Sequence, residues 1–221
     1  MRYCMGHMEV TYLGHSSFKL KGKTATVVTD PYNEKCGKFP KDTLADIVTV
    51  SHQHADHNQV KLVSGNPFVI EGAGEYEVKG VSVVGIQSWH DDKGGADRGP
   101  NVIYVIEIDG LRLCHLGDLG HKLTEEQLEE IGSIDIAVIP VGGDYTIDAK
   151  MAVEVAKQLD PWIIIPMHYQ QAGLDAAMFA KLTGVETFLK EMGKDVAPVP
   201  KLIMSHDKLP EESQVVVLER K

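Results

Sequence analysis

A chain of 221 residues is long enough for one domain with a full hydrophobic core, or at most two small ones. Hydrophobic residues make up 43% and charged residues 24%, the balance of an ordinary soluble globular protein. A formal net charge of -10, with Lys and Arg scattered, argues against a nucleic-acid binder, which needs a basic footprint on phosphates. Three widely spaced cysteines, Cys4, Cys36 and Cys114, form neither a disulfide framework nor a C-x-x-C metal knuckle. No apolar run approaches a membrane span, and Met1 to His7 lacks the charged-then-apolar order of an export signal. The expectation is a cytoplasmic protein with neither a nucleic-acid nor a membrane partner.

Elements follow in chain order. Val10 to Leu13, Ser17 to Leu20 and Thr24 to Thr29 read as strands, divided by Gly14 and by the Lys21-Gly22-Lys23 turn. Asp46 to Val50 is a short buried strand running into His52, and Phe68 to Glu71 another. Glu77-Val78 and Val81 to Ile86 pair around Lys79-Gly80, and a glycine-rich charged loop spans Asp91 to Pro100. Val102 to Ile108 and Leu111 to Leu116 flank the Asp109-Gly110 turn, with Cys114 a small core residue of the second run. Thr124 to Ile131 is helical, with Thr124 and Gln127 spaced as a capping box. The remainder alternates: strand Ile136 to Val141, amphipathic helix Asp148 to Leu159, strand Trp162 to Met167, helices Ala176 to Leu182 and Val185 to Met192, and a closing strand Val215 to Leu218. No composition shift marks a linker, so a single domain over 1–221 is expected, with sheets covered by helices.

The densest chemical signal is Ser51-His52-Gln53-His54-Ala55-Asp56-His57. In an extended segment His52 and His54 point the same way, so both imidazoles can meet one ion. Asp56 and His57 come a turn later and can face a neighbouring one. Imidazole with carboxylate suits zinc, and also manganese or iron.

This H-x-H-x-D-H pattern after a buried strand resembles the signature of the metallo-β-lactamase superfamily. The resemblance extends in order along the chain: Asp30 in Val27-Val28-Thr29-Asp30-Pro31, His90 after Gly85-Ile86-Gln87-Ser88-Trp89, Asp118 in His115-Leu116-Gly117-Asp118, and His168 after Ile163-Ile164-Ile165-Pro166-Met167. Gly14-His15-Ser16, Gly117-Asp118-Leu119-Gly120-His121 and Pro166-Met167-His168-Tyr169 look like the small Zn-dependent hydrolase branch, related to sugar-phosphate lactonases and phospholipase D-type members. The resemblance implies an α/β fold, a four-layer αββα sandwich of two packed mixed sheets flanked by helices. It implies two metal ions per chain, zinc first and manganese or iron next, on His52, His54, Asp56, His57, His90, Asp118 and His168. Asp118 would bridge the ions, and Asp30 would accept a hydrogen bond from a ligand imidazole or from the loop. A hydroxide shared by the two metals would then attack a small ester, and Asp118, Asp56 and His121 are the candidate catalytic residues.

Other residues carry two readings each. His121 is a proton donor to the leaving group or a surface histidine at a helix entry. Arg98 clamps an anionic substrate or pairs with Asp91, Asp92 or Asp97. Tyr145 and Thr146 touch substrate or belong to a supporting loop. His15 lines the mouth or, the favoured reading, makes a buried structural hydrogen bond, and His115 is structural. His7 and His206 are surface residues, and Met5 is terminal. The expected function is hydrolysis of a small anionic ester, a phosphodiester or a phosphorylated lactone; the alternative is a metal-binding sensor or other non-hydrolytic protein of the same fold. The di-iron version of that alternative needs a carboxylate at the second histidine of H-x-H, where this chain has His54. The sequence does not decide whether the chain forms a homo-oligomer.

Overall fold

The computed structural model describes residues 6–221, so Cys4 and Met5 lie outside the described residues. The strands are β1 (Met8–Gly14), β2 (Ser17–Lys21), β3 (Thr26–Thr29), β4 (Ile47–Thr49), β5 (Phe68–Ile70), β6 (Gly74–Val78) and β7 (Val81–Trp89). They continue as β8 (Pro100–Ile108), β9 (Leu111–His115), β10 (Ile136–Pro140), β11 (Ile163–Met167), β12 (Leu202–Met204) and β13 (Gln214–Val215). The helices are α1 (Glu125–Ile131), α2 (Ala149–Leu159), α3 (Ala176–Phe179) and α4 (Val185–Glu191). Six strands form one mixed sheet in the order β12-β1-β2-β3-β4-β5, and seven form a second in the order β13-β11-β10-β9-β8-β7-β6.

The sheets face each other. Met8, Val10, Tyr12, Phe18 and Leu20 of the first share one buried cluster with Val83, Ile103, Val105 and Leu113 of the second. The alternation in β1, where Met8, Val10 and Tyr12 are buried and Glu9 and Thr11 are not, gives that inner face. The second sheet is covered on its outside by helices, with α2 over β10 and α1 against β7. Every residue of β10 and β11 is therefore buried, as parallel strands require. This is the expected α/β sandwich. Its cover is uneven: outside the first sheet lie Tyr32, Cys36, Phe39, Val63 and Phe179, from loops, single 3-10 turns and the one-turn α3.

Local sequence explains the helix ends. Thr124 and Gln127 complete a reciprocal capping box on α1, and the Asp148 side chain accepts from the Met151 amide to start α2. Two elements are shorter than their sequence suggests. The helix from Ala176 ends at Phe179. The closing strand is Gln214–Val215 rather than Val215 to Leu218, because Leu218 leaves β11 to bridge Val199. Strand β12, which pairs antiparallel with β1, has no signal in the sequence: it is three residues long, with Leu202 and Met204 only half-buried on one face and Ile203 exposed on the other.

The parallel pairs decide where chemistry can sit. β3 runs with β4, and β9 with β10 and β11, so their carboxyl ends share one rim. Asp30, His52, His90, Asp118 and His168 each follow a strand that ends on it.

Candidate metal centre

Asp30 leaves β3 with a left-handed backbone, φ 39°, and its carboxylate is fully buried. It accepts from the Ser51 amide at 2.8 Å, from Ser51 Oγ at 2.6 Å and from His57 Nδ1 at 2.9 Å. Ser51 Oγ, having given its proton to Asp30, accepts from His52 Nδ1 at 3.0 Å. The consequence is a fixed tautomer for either ring when neutral: Nδ1 carries the proton, and Nε2 is the atom left to meet an ion. Asp30 thus orients two imidazoles at once, one directly and one through Ser51.

The residues 51–57 are bends and turns rather than an extended run, closed by a hydrogen bond from the His57 amide to the His54 carbonyl. The expected meeting of His52 and His54 survives, with ring centroids 4.6 Å apart, and His90 joins them at 4.8 and 5.2 Å. One donor atom from each of His52, His54 and His90 falls within a single cluster.

Asp118 occupies the middle of the group. Its Oδ2 lies 3.2 Å from Nε2 of His57, His90 and His168, and 3.9 Å from that of His52. Two residues place it. Gly117 turns the chain at φ +56°, where a Cβ would fall 2.3 Å from Asn101 Oδ1, so only glycine fits. Buried Asn101 accepts from the Asp118 amide at 2.9 Å and donates to the Leu116 carbonyl and to Ser88 Oγ. Asn101 is a positioning residue that sequence reasoning missed, since an asparagine one residue into a strand carries no signal. His168 is set by its left-handed backbone, φ 52°, and by its amide, which donates to the His15 carbonyl at 3.0 Å.

These residues fit divalent cations. His52 Nε2, His57 Nε2, His90 Nδ1, both nitrogens of His168 and Asp118 Oδ1 are buried and make no hydrogen bond, and an unsatisfied buried polar atom costs roughly 1–3 kcal/mol. So many at one point, drawn from four loops, are explained by ligands that complete them. The electrostatics call for positive charge at this point: burial opposes charge on the His57 ring, but Asp118 and Asp56 outweigh it and raise the ring well above its ordinary value, a charge that a bound ion would supply instead. Burial, then the neighbouring His57, holds the His52 ring well below its ordinary value and hence neutral. Burial works against charge on Asp118, but His168 and His57 outweigh it and keep the carboxyl well below the usual carboxylate range.

Comparison with known proteins agrees with this geometry. The family model described as the Beta-lactamase superfamily domain matches residues 9–168. The chain belongs to the metallo-β-lactamase superfamily. A UPF0173 metal-dependent hydrolase of Thermococcus onnurineus is 31% identical over 208 residues, spanning 80% of this chain and 92% of that protein. Among solved structures, a candidate Zn-dependent hydrolase of the metallo-β-lactamase superfamily from Thermotoga maritima is 41% identical. It covers 97% of this chain and all of its own, with a TM-score of 0.79. A metallo hydrolase of Ignicoccus hospitalis, 20% identical over 90% of this chain and 99% of its own, has a TM-score of 0.64 and shows the fold alone. Within the superfamily, the chain is a member of the metal-dependent hydrolases.

Over the centre of this superfamily member opens a cleft of about 390 Å³, lined by His54, Asp56, His90, Asp118 and His168 below and by Lys35, Asp97, Arg98, Tyr145, Met178 and Phe179 around it. Arg98 is not paired with Asp91, Asp92 or Asp97. Lys93 takes Asp97, and the Arg98 guanidinium lies 5.3 Å over the Tyr145 ring. Buried Asp91 holds the loop, accepting from the amides of Lys93, Gly95, Asp97 and Arg98 at 2.8–2.9 Å. Burial opposes ionisation there, and those amides, Arg98 first, hold the carboxyl at about 2. Lys35 is a second cation on the cleft that sequence reasoning missed, because nothing local links it to the H-x-H segment.

Three expectations need correction. His121 does not enter the cleft: its Nε2 accepts from the Trp89 amide at 3.2 Å and its Nδ1 donates to the Lys122 carbonyl at 2.8 Å, so both nitrogens serve the backbone. Thr146 does not line the cleft either, its hydroxyl donating to the Ile147 carbonyl; Tyr145 does, but as a ring, since its hydroxyl donates to the Met178 carbonyl at 2.6 Å. His15 makes no structural hydrogen bond through its ring. It lies fully buried, Nδ1 has no partner and Nε2 faces only Asp56 Oδ2 at 3.4 Å, and burial, then His168, lowers it to about 4. His115 is structural as expected, donating from Nε2 to the Ser16 carbonyl at 2.8 Å. His7 and His206 are exposed. No described helix is long and apolar enough to cross a membrane.

Proposed function

We propose that this chain hydrolyses a small anionic ester, a phosphodiester or a phosphorylated lactone, with two divalent ions. One ion is held by His52, His54 and His90, the other by Asp56, His57 and His168, and Asp118 lies between them. Zinc leads on donor type, with manganese and iron next. Ions held there would lower the pKa of a bound water and offset the charge that develops on the ester oxygen. The protein's own part is orientation: Asp30 and Ser51 aim the rings, and Asn101 aims the carboxylate. His121, committed to backbone on both sides, is not the proton donor.

The observation that carries the substrate class is Arg98. Its guanidinium lines the cleft, held over Tyr145 by a loop that buried Asp91 gathers, and is left without a carboxylate partner. Lys35 lines the same cleft, so a second positive charge accompanies Arg98 at the space above the metal ligands. Ala55, Met178 and Phe179 supply apolar wall, suited to an ester with one charged and one apolar end.

Matched anionic and neutral esters test this. Arg98→Ala should raise KM for the anionic substrate roughly 10–100-fold, the worth of a charge-assisted hydrogen bond, with kcat within a few-fold, because clamping a remote anion is uniform binding. Equal losses on both substrates, or none on either, would remove Arg98 from substrate recognition.

A further inference from the structure

His15 sits in the reversal between β1 and β2 with a left-handed backbone, φ 55°. A bulky residue costs about 1–3 kcal/mol in such a conformation, where glycine or asparagine sits easily. The backbone is pinned from two sides, the His15 carbonyl accepting from Tyr12 Oη at 2.9 Å and from the His168 amide at 3.0 Å. The ring is therefore not free to swing. It lies 4.3 Å from the His168 ring and 5.1 Å from the His57 ring, with Phe179 packed at 5.2 Å. Its Nε2 lies 3.4 Å from Asp56 Oδ2. Neither ring nitrogen makes a hydrogen bond, and the residue has no solvent exposure. One donor atom each from His15, His57 and His168 fall together in one cluster, all within 4.8 Å of one another.

A left-handed backbone, a fully buried imidazole, an Nδ1 with no partner and an Nε2 with only the Asp56 carboxylate at 3.4 Å add up to a cost that packing does not explain. The other rings with bare nitrogens in this structure are those aimed at the metal positions. His15 shares their condition and their place. The donor count then differs between the two positions. On the His52, His54 and His90 side there are three imidazoles and Asp118. On the other side stand Asp56, His57, His168 and Asp118, with His15 beside them; the Cys36 thiol, within 4.8 Å of the His15 and Asp56 donors, is pushed up by burial and stays a protonated core group. Four donors match the tetrahedral preference of zinc, whereas five, with room for water, match ions of higher coordination.

We propose that His15 is a fifth donor at the second metal position, so that the centre is asymmetric in donor number. This rests on the two-ion reading above and goes beyond it in assigning His15 and in separating the two positions by their donors.

The test uses the full chain, stripped with a chelator and titrated with zinc and, separately, with cobalt. Wild-type protein should hold two ions per chain. His15→Asn keeps the left-handed turn with a side chain too short to reach the ion; it should weaken the second ion at least tenfold while the first stays at one per chain, which also certifies the fold. With zinc in the first position and cobalt in the second, the weak visible absorption of a five- or six-coordinate ion should strengthen several-fold in His15→Asn. Unchanged affinity for the second ion and an unchanged cobalt spectrum in the variant would overturn the role of His15 and leave the two-ion centre standing. A wild-type chain that binds no second ion would overturn both this proposal and the two-ion reading.

Discussion

The Asp30 carboxylate accepts three hydrogen bonds, all from Ser51 and His57, and through Ser51 it reaches His52. A carboxylate whose every bond ends on the metal loop acts by orientation. Asp30→Asn would keep the volume but lose the charge and one acceptor. Metal affinity should fall roughly 10–100-fold, the usual effect of losing an outer hydrogen-bond partner of a ligand. Competition with a coloured chelator measures it, and an unchanged affinity would mean that the imidazoles hold their aim without Asp30. The role of Asp30 was legible only through the resemblance to the superfamily, which implies an aspartate at the end of an early strand; by residue type alone it also reads as the start of the Asp30-Pro31 turn. The roles of His15, Lys35 and Asn101 were not legible. Each depends on which distant segments the sheets bring together: His15 on His168, Asn101 on Asp118, Lys35 on the far wall of the cleft. His121 misled in the opposite way, since closeness in sequence to Asp118 does not survive the turn that sends its ring to the Trp89 amide.

Among the elements, the strand ends were the readable part. Alternation and β-branched runs located both sheets, and the polar residues just past each strand located the rim. Element lengths were less readable: α3 stops early and β12 pairs at an edge, where few buried positions constrain the sequence. The loop from Asp91 to Gly99 shows how an element carries function without regular structure. Four backbone amides converge on one buried carboxylate, which fixes the loop that carries Arg98. Asp91→Ala should leave the sheets intact but speed hydrogen exchange at the amides of Lys93, Gly95, Asp97 and Arg98 by on the order of tenfold or more. It should also raise KM for an anionic ester while sparing kcat. Exchange rates equal to wild type would show that the loop is ordered by something else.

For the whole molecule, the centre draws ligands from loops of both sheets, and a cross-sheet hydrogen bond from the Val102 amide to the Ser51 carbonyl ties the two at that point. Metal binding should therefore stabilise the entire sandwich rather than one loop. An ion at a hundred times its dissociation constant adds about 2.7 kcal/mol. For a chain of this size that is a rise in Tm of roughly 5–10 °C per ion. Calorimetry with and without chelator checks this, and a Tm that ignores metal would argue that the buried histidines are satisfied by protein alone.

The central claim is that two ions sit on opposite sides of Asp118. Anomalous diffraction from crystals of metal-loaded protein, collected at the absorption edges of zinc and manganese, tests it most directly. The account predicts two peaks about 3.5–4 Å apart, one among His52, His54 and His90 and one among Asp56, His57 and His168, with the Asp118 carboxylate between them. A single peak, or metal bound away from Asp118, would contradict it.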